Sequence, residues 1–177
     1  MALFTDALPF LLEHEGGFSD NPRDPGGATN WGISLRYLRS LGVDCGDVDD
    51  DGDVDSDDVR RLTREQAAEI YRTQWWDPMR LGEFRHQAVA TKTLDLAVNM
   101  GRVPAVKLLQ RALCVAGHPV DVDGVIGPQT IRAVNSADPD LLLELYRVQA
   151  ARYYHELVDR RPDLVVFERG WIRRALA

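Results

Sequence analysis

The sequence predicts a mainly α-helical fold, interrupted by a small hairpin or turn region and by one inserted acidic loop. Three observations carry that expectation. Apolar residues recur at helical spacing along most of the 177-residue chain. Between Gly16 and Ile33 the density of Gly, Pro, Asp and Asn forbids a regular helix. Between Asp44 and Asp58 there are nine Asp and no Lys or Arg.

Taken in order, Leu3, Ala7, Phe10 and Leu11 share one face and predict a first helix from about Thr5 to His14, stopped at Gly16-Gly17. Turns or a hairpin extend from there to Ile33, and Ser34 caps a short helix through Leu41. Thr63-Arg64-Glu65-Gln66 has capping-box form and opens a helix carrying Ala67, Ile70, Tyr71 and Trp75 before Asp77-Pro78. Further helices are expected over about 87–100, 104–116, 128–135 and 139–158, with Pro104, Pro128 and Pro139 each suited to a first turn, and a final short helix includes Trp171. A soft boundary at Gly82–Gln87 divides residues 1–85 from residues 86–177, two lobes expected to share one core.

At 45% hydrophobic composition the chain can bury a substantial core, so folding requires neither disulfides nor metal. The formal net charge of −7 argues against nucleic acid and anionic membrane as partners. Outside the aspartate stretch the chain carries a positive excess of two, compatible with an anionic polymer. Cys45 and Cys114 lack a CxxC partner and are too few for a disulfide framework, which fits a reducing compartment and leaves a single bridge open. The first residues lack a basic region and a continuous apolar stretch, so no signal peptide, membrane anchor or spanning segment is read; a monomer is expected.

The chemistry concentrates in Glu15-Gly16-Gly17-Phe18, Asp24-Pro25-Gly26-Gly27-Ala28-Thr29 and Trp31-Gly32-Ile33. Cleaving a glycosidic bond takes a protonated carboxyl for the leaving oxygen and commonly a second carboxylate to activate water or attack. Glu15 at a helix end, succeeded by glycines, is placed to project into a cleft where apolar neighbours raise its pKa. Asp24 is the candidate second carboxylate and Thr29 a candidate holder of water. Singly, these residues read as a solvated charge, an Asx turn and an ordinary hydroxyl. Their joint spacing is what points to catalysis.

With these motifs the sequence resembles glycoside hydrolase family 108, bacterial and phage muramidases. The likeness continues through Trp75-Trp76-Asp77, Asp95-Leu96-Ala97-Val98-Asn99-Met100-Gly101, Leu109-Gln110 and Asp123-Gly124-Val125-Ile126-Gly127-Pro128-Gln129-Thr130. The second half is similar to the predicted peptidoglycan-binding region that accompanies this family. The resemblance implies a lysozyme-like fold that hydrolyses the β-1,4 bond between N-acetylmuramic acid and N-acetylglucosamine in peptidoglycan, with Glu15 as the acid and no cofactor for the chemistry. The order Glu15, Asp24, Thr29 is also similar to the triad of phage-type lysozymes, which favours an inverting route. Glu15 acting alone, as in lytic transglycosylases that release anhydro sugars, stays open. A holin-released endolysin, made in the bacterial cytoplasm and acting on the wall in the periplasm, is the use the resemblance implies.

The acidic stretch Asp47–Asp58 has the form of a twelve-residue EF-hand loop for Ca2+. Asp47, Asp49 and Asp51 stand at the oxygen-ligand positions 1, 3 and 5, Gly52 at the turn, Asp53 at the carbonyl position and Asp55 at the water-mediated one. Asp58 takes the place of the usual bidentate Glu, with a shorter reach. The stretch also resembles one dockerin-type repeat and reads as an insertion into the catalytic region, structural or regulatory. A disordered acidic insertion is the plain alternative.

Trp76, beside Trp75, is a candidate sugar-stacking ring, though adjacent helical aromatics equally suit a core. Asn99 is a candidate partner for an acetamido group. The four His lack metal-ligand spacing and no nucleophile elbow occurs. A non-catalytic module that docks through the loop or adheres to the wall is the rival reading; docking of the dockerin kind needs two loops, and adhesion leaves Glu15 to Ile33 unexplained.

Overall fold

The computed structural model describes residues 1–15 (without the side chains of 13–15), 17–20 and 27–177. Most of them are helical, as expected, and the sheet content is one two-stranded hairpin with an adjoining bridge. Two compact units form, residues 8–74 and residues 1–7 with 75–177. The N-terminal residues thus join the C-terminal unit: the Ala2 amide donates to Phe84 O at 2.6 Å, and Leu3 exchanges two hydrogen bonds with the Gln87 side chain.

Helix α1 (Phe4–Glu15) enters the first unit, where Leu11 is buried. Strands β1 (Thr29–Asn30) and β2 (Ile33–Ser34) pair antiparallel, Thr29 opposite Ser34 and Asn30 opposite Ile33. Their two-residue turn holds Trp31 at φ 51° and Gly32 at φ 76°, the doubly positive φ that matches the twist of paired strands. Ser34 then caps α2 (Leu35–Ser40), its hydroxyl accepting from the Tyr37 amide at 3.2 Å.

The acidic stretch is flanked by two short helices not expected from the sequence, α3 (Val43–Gly46) and α4 (Ser56–Arg61). α3 needs glycine at its end, because a Cβ on Gly46 would lie 2.7 Å from Leu38 O. α5 (Arg64–Tyr71) opens with the expected capping box: Thr63 Oγ1 accepts from the Gln66 amide and Gln66 Oε1 from the Thr63 amide. It passes into a π-helical turn, Arg72–Trp76, ahead of Pro78. Among the described residues Leu11, Ala28, Ile33, Leu38, Val59, Leu62, Ala67 and Tyr71 make up the buried apolar set of this unit.

The second unit is built on α6 (Gln87–Met100), α7 (Arg102–Val115), α8 (Pro128–Ser136), α9 (Pro139–Arg160) and α10 (Val165–Leu176). α9 packs on α6, α7 and α10. α7 starts at Arg102, two residues before the expected Pro104, because Gly101 at φ 92° reverses the chain in a single residue after α6. Its core includes Leu94, Leu96, Leu109, Leu113, Tyr146 and Tyr154. Tyr146 OH donates to Ala105 O at 3.0 Å, and burial pushes that phenol far above its ordinary pKa. Lys92 and Asp95 are 3% and 1% exposed; Lys92 Nζ donates to Arg174 O at 2.6 Å and Arg174 Nε to Asp95 Oδ1 at 2.7 Å, so this charged trio fixes α10 on α6. Both cysteines are free and exposed. No described helix is long and apolar enough to cross a membrane.

Candidate active site and acidic loop

Glu15 is the last residue of α1, with its side chain outside the described residues; Asp24 lies wholly outside them. A short distance beyond α1 the chain is tied back on itself. Ser19 and Thr29 exchange two backbone hydrogen bonds, both 2.8 Å, and Asp24 lies midway between them in sequence. Thr29 is half-buried, and its hydroxyl donates a long bond, 3.4 Å, to Gly27 O, which leaves the oxygen's lone pairs free to accept.

The hairpin is anchored through its polar residues. Asn30 is buried, and its Nδ2 donates to Val59 O at 3.0 Å and Leu62 O at 3.2 Å. Trp31 Nε1 donates to the same Leu62 carbonyl at 3.1 Å, and Tyr71 OH to Trp31 O at 3.0 Å. Val59 and Leu62 end α4, where helix carbonyls have no intrahelical donor; the hairpin supplies the missing donors. These contacts also hold Trp31 in the left-handed region that a bulky residue rarely enters. Asn30 carried no chemical signal in the sequence beyond its place beside Thr29.

The acidic loop is organised by Asp58, which is 1% exposed. Its Oδ1 accepts from the Val48 amide at 2.6 Å and from the Asp49 amide at 3.4 Å, and its Oδ2 from the Asp55 amide at 2.7 Å. Burial alone would raise its pKa; the amide hydrogen bonds outweigh burial and leave it lowered. Asp55 and Asp58 together form a capping box on α4. Asp47 turns the loop by accepting from the amides of Asp51 and Gly52 at 3.2 and 2.9 Å, with Gly52 at φ 98°.

Carboxylate oxygens gather in two groups within 4.8 Å, one from Asp47, Asp49 and Asp58 and one from Asp53, Asp55 and Asp58. Asp51, a candidate ligand, belongs to neither among the described residues and instead accepts from the Asp53 amide at 3.1 Å. Asp53, expected to offer its carbonyl, brings its side chain to the second group. The Asp49 side chain is 7% exposed; Arg61 Nη1 pairs with its Oδ2 at 2.9 Å, while Oδ1 is buried without a hydrogen-bond partner. Burial and the negative charge of Asp51 hold Asp49 above the usual carboxylate range, and the charge of Asp51 does the same, with burial, for Asp53.

Two candidate substrate contacts look different in place. Trp76 is 5% exposed and meets Phe4 edge to face at 5.7 Å, so its ring belongs to the core of the second unit and offers no open face for a sugar. Asn99 is exposed, and its Oδ1 accepts from Tyr154 OH at 2.6 Å. Gln110, 1% exposed, has a role that its motif did not disclose: its Nε2 donates to Asp123 Oδ1 and Val125 O, and its Oε1 accepts from the Gly124 amide. It thereby shapes the Asp123–Gly127 turn, where Gly124 sits at φ 85° and a Cβ would meet Val103 at 2.9 Å.

The chain is similar to known proteins along almost its whole length. The Glycosyl hydrolase 108 family model matches residues 8–101, and the Predicted Peptidoglycan domain model matches residues 104–176. Among solved structures, SagA of Brucella abortus is 31% identical with a TM-score of 0.75, over 97% of this chain and 88% of that one. No curated protein matches it. With the family model spanning more than half of the chain, including the Glu15 to Ile33 constellation, this mainly helical, lysozyme-like protein belongs to glycosyl hydrolase family 108 and is a glycoside hydrolase acting on peptidoglycan.

Proposed function

We propose that the chain is an endolysin-type N-acetylmuramidase that hydrolyses the β-1,4 bond from N-acetylmuramic acid to N-acetylglucosamine, acts on the wall after release from the cytoplasm, and carries a Ca2+-stabilised loop at 47–58. The observation that carries the catalytic reading is the Ser19–Thr29 bridge. It pairs Ser19, four residues after the Glu15 end of α1, with Thr29, and Asp24 lies between the two in sequence.

In that reading Glu15 gives its proton to the glycosidic oxygen as the bond from C1 breaks. Asp24 takes a proton from a water whose oxygen bonds to C1 from the opposite face, and Thr29 accepts a hydrogen bond from that water. The product is a reducing muramic end of inverted configuration. The next cycle starts once Asp24 has released its proton to solvent and Glu15 has recovered one.

For the loop, the fit to Ca2+ rests on Asp49, whose buried Oδ1 has no hydrogen-bond partner within a cluster of carboxylates. A hard, oxygen-binding cation answers that chemistry. Asp47, Asp49 and Asp58 are its ligands on one side and Asp53 and Asp55 on the other, with Asp51 remaining a candidate.

Glu15→Gln assayed beside wild type on purified peptidoglycan tests the catalytic reading. Loss of cleavage by about 10³-fold or more with binding retained is expected. Equal cleavage refutes the assignment of Glu15, and binding with no cleavage by wild type leaves only an adhesion module. Mass spectrometry of the released muropeptides separates the routes: reducing muramic ends support hydrolysis, and predominantly anhydro ends establish the transglycosylase.

A further inference from the structure

Helix α4 touches both the acidic loop and the catalytic hairpin, and nearly every residue of it is committed to one or the other. Asp58 gathers the loop amides, and Arg61 pairs with Asp49. Val59 O and Leu62 O receive the Asn30 amide, and the Arg60 guanidinium lies 5.0 Å from the centre of the Phe18 ring, close to the bridging Ser19. Asn30 in turn is bonded in sequence to Thr29.

We propose that Ca2+ bound in loop 47–58 sets the catalytic hairpin through α4, with Asn30 as the positioning residue that transmits it. The inference rests on the reading of Thr29 as part of the site and of the loop as a Ca2+ ligand set. The ion is indicated by something other than acidity: the Asp49 side chain is more than nine-tenths buried, and its Oδ1 has no hydrogen-bond partner beside the carboxylates of Asp47 and Asp58. An oxygen in that position lacks a counter-charge that the second oxygen already has in Arg61.

The coupling is mechanical. Three carboxylates within 4.8 Å repel one another, and two of them, Asp55 and Asp58, are also the cap of α4. A divalent cation removes that repulsion and fixes both residues. α4 spans only Ser56–Arg61, too short to absorb a displacement at its start without passing it to its last carbonyls. Those carbonyls hold Asn30 and Trp31. Chelation therefore loosens the hairpin at the residue next to Thr29, and Ca2+ restores it.

The experiment measures the intact chain in Ca2+ and in chelator by calorimetric Ca2+ titration, amide hydrogen exchange and kinetics of wall cleavage. In wild type, Ca2+ is expected to slow exchange of the 28–34 amides by about tenfold and to raise kcat with KM little changed. Asn30→Ala is expected to bind Ca2+ with Kd within about twofold of wild type while losing both effects. Asp49→Asn is expected to lose Ca2+ binding and hairpin protection together. Absence of Ca2+ binding, hairpin exchange indifferent to bound Ca2+, or full activation of Asn30→Ala each overturns the proposal. Should Asn30→Ala fail to fold, wild type and Asp49→Asn decide by exchange alone. Wild type that binds Ca2+, protects the hairpin and cleaves no glycan refutes the muramidase reading and leaves the coupling standing.

Discussion

Replacing Asp58 with Asn tests the organisation of the acidic loop with almost no change of shape. The Asp58 carboxylate accepts from three amides, two of them at 2.6 and 2.7 Å on opposite oxygens. An amide keeps one oxygen and turns an NH2 toward the other donor, so one short charge-assisted bond is lost, at about 1.5–3 kcal/mol. Removing a negative charge relieves repulsion from the neighbouring aspartates, an offset of about 0–1 kcal/mol for such solvent-screened pairs. The net expectation in chelator at neutral pH is a loss of about 0.5–3 kcal/mol, or about 1–12 °C in Tm for a chain of this size. Acid should erase the difference. The folded pKa of Asp58 is lowered, so its contribution is complete above the ordinary carboxylate range near pH 4 and disappears as pH falls through the lower folded value. Thermal melts of both proteins across pH make the measurement. An Asn variant as stable as wild type in chelator at neutral pH would mean that repulsion governs the loop and that the amide bonds do not organise it.

Single contacts set the other expectations. Gln110→Ala leaves the Gly124 amide without its acceptor and takes one donor each from Asp123 and Val125 O, and is expected to cost about 1–3 kcal/mol with faster hydrogen exchange in 123–127; unchanged exchange there removes Gln110 as the organiser of that turn. Lys92→Met takes from buried Asp95 the cationic partner 3.6 Å away and from Arg174 O its donor, and a loss of about 3 kcal/mol should appear in denaturant unfolding. Trp76→Leu should destabilise by about 2–3 kcal/mol through lost packing on Phe4 yet leave KM for peptidoglycan within about twofold; a large rise in KM would restore the sugar-stacking role.

The helices were legible because their signals are local. The Thr63 capping box, the Ser34 cap and the prolines at the heads of α8 and α9 act within one turn, and the structure places them where the sequence does. Trp76 was ambiguous for the opposite reason. A Trp-Trp pair in a helix is sugar platform or core depending on what packs against it, and Phe4, far away in sequence, decides. The same holds for Asn30 and Gln110, whose partners lie 13 to 32 residues away. The small helices beside the acidic loop were not legible because their sequences lack apolar periodicity; α4 is held by the Asp55–Asp58 cap, and α3 by the close approach that Gly46 allows to α2.

The weakness of Asp58 as a twelfth ligand gains meaning from the coupling to the hairpin. In the proposed Ca2+ loop both Asp58 oxygens already accept from backbone amides and the side chain is shorter than Glu, so the expected affinity is that of a weak EF-hand-like site, Kd about 10⁻⁵–10⁻⁴ M, weaker than cytosolic buffers. Stabilisation by a ligand is RT ln(1 + [L]/Kd): about 1.4 kcal/mol at ten times Kd and nearly nothing far below it. Low free calcium in the cytosol leaves such a loop unloaded, whereas millimolar calcium outside the inner membrane, where peptidoglycan lies, loads it. A tighter site would be loaded everywhere and could not discriminate. Tm against free Ca2+ is therefore expected to be flat through the submicromolar range and to begin a continuing rise at about 10⁻⁵–10⁻⁴ M, where loop occupancy and hairpin protection reach half. Occupancy and hairpin protection already complete at about 10⁻⁷ M would make the ion a permanent structural part of the protein, because the compartment would then make no difference to its occupancy.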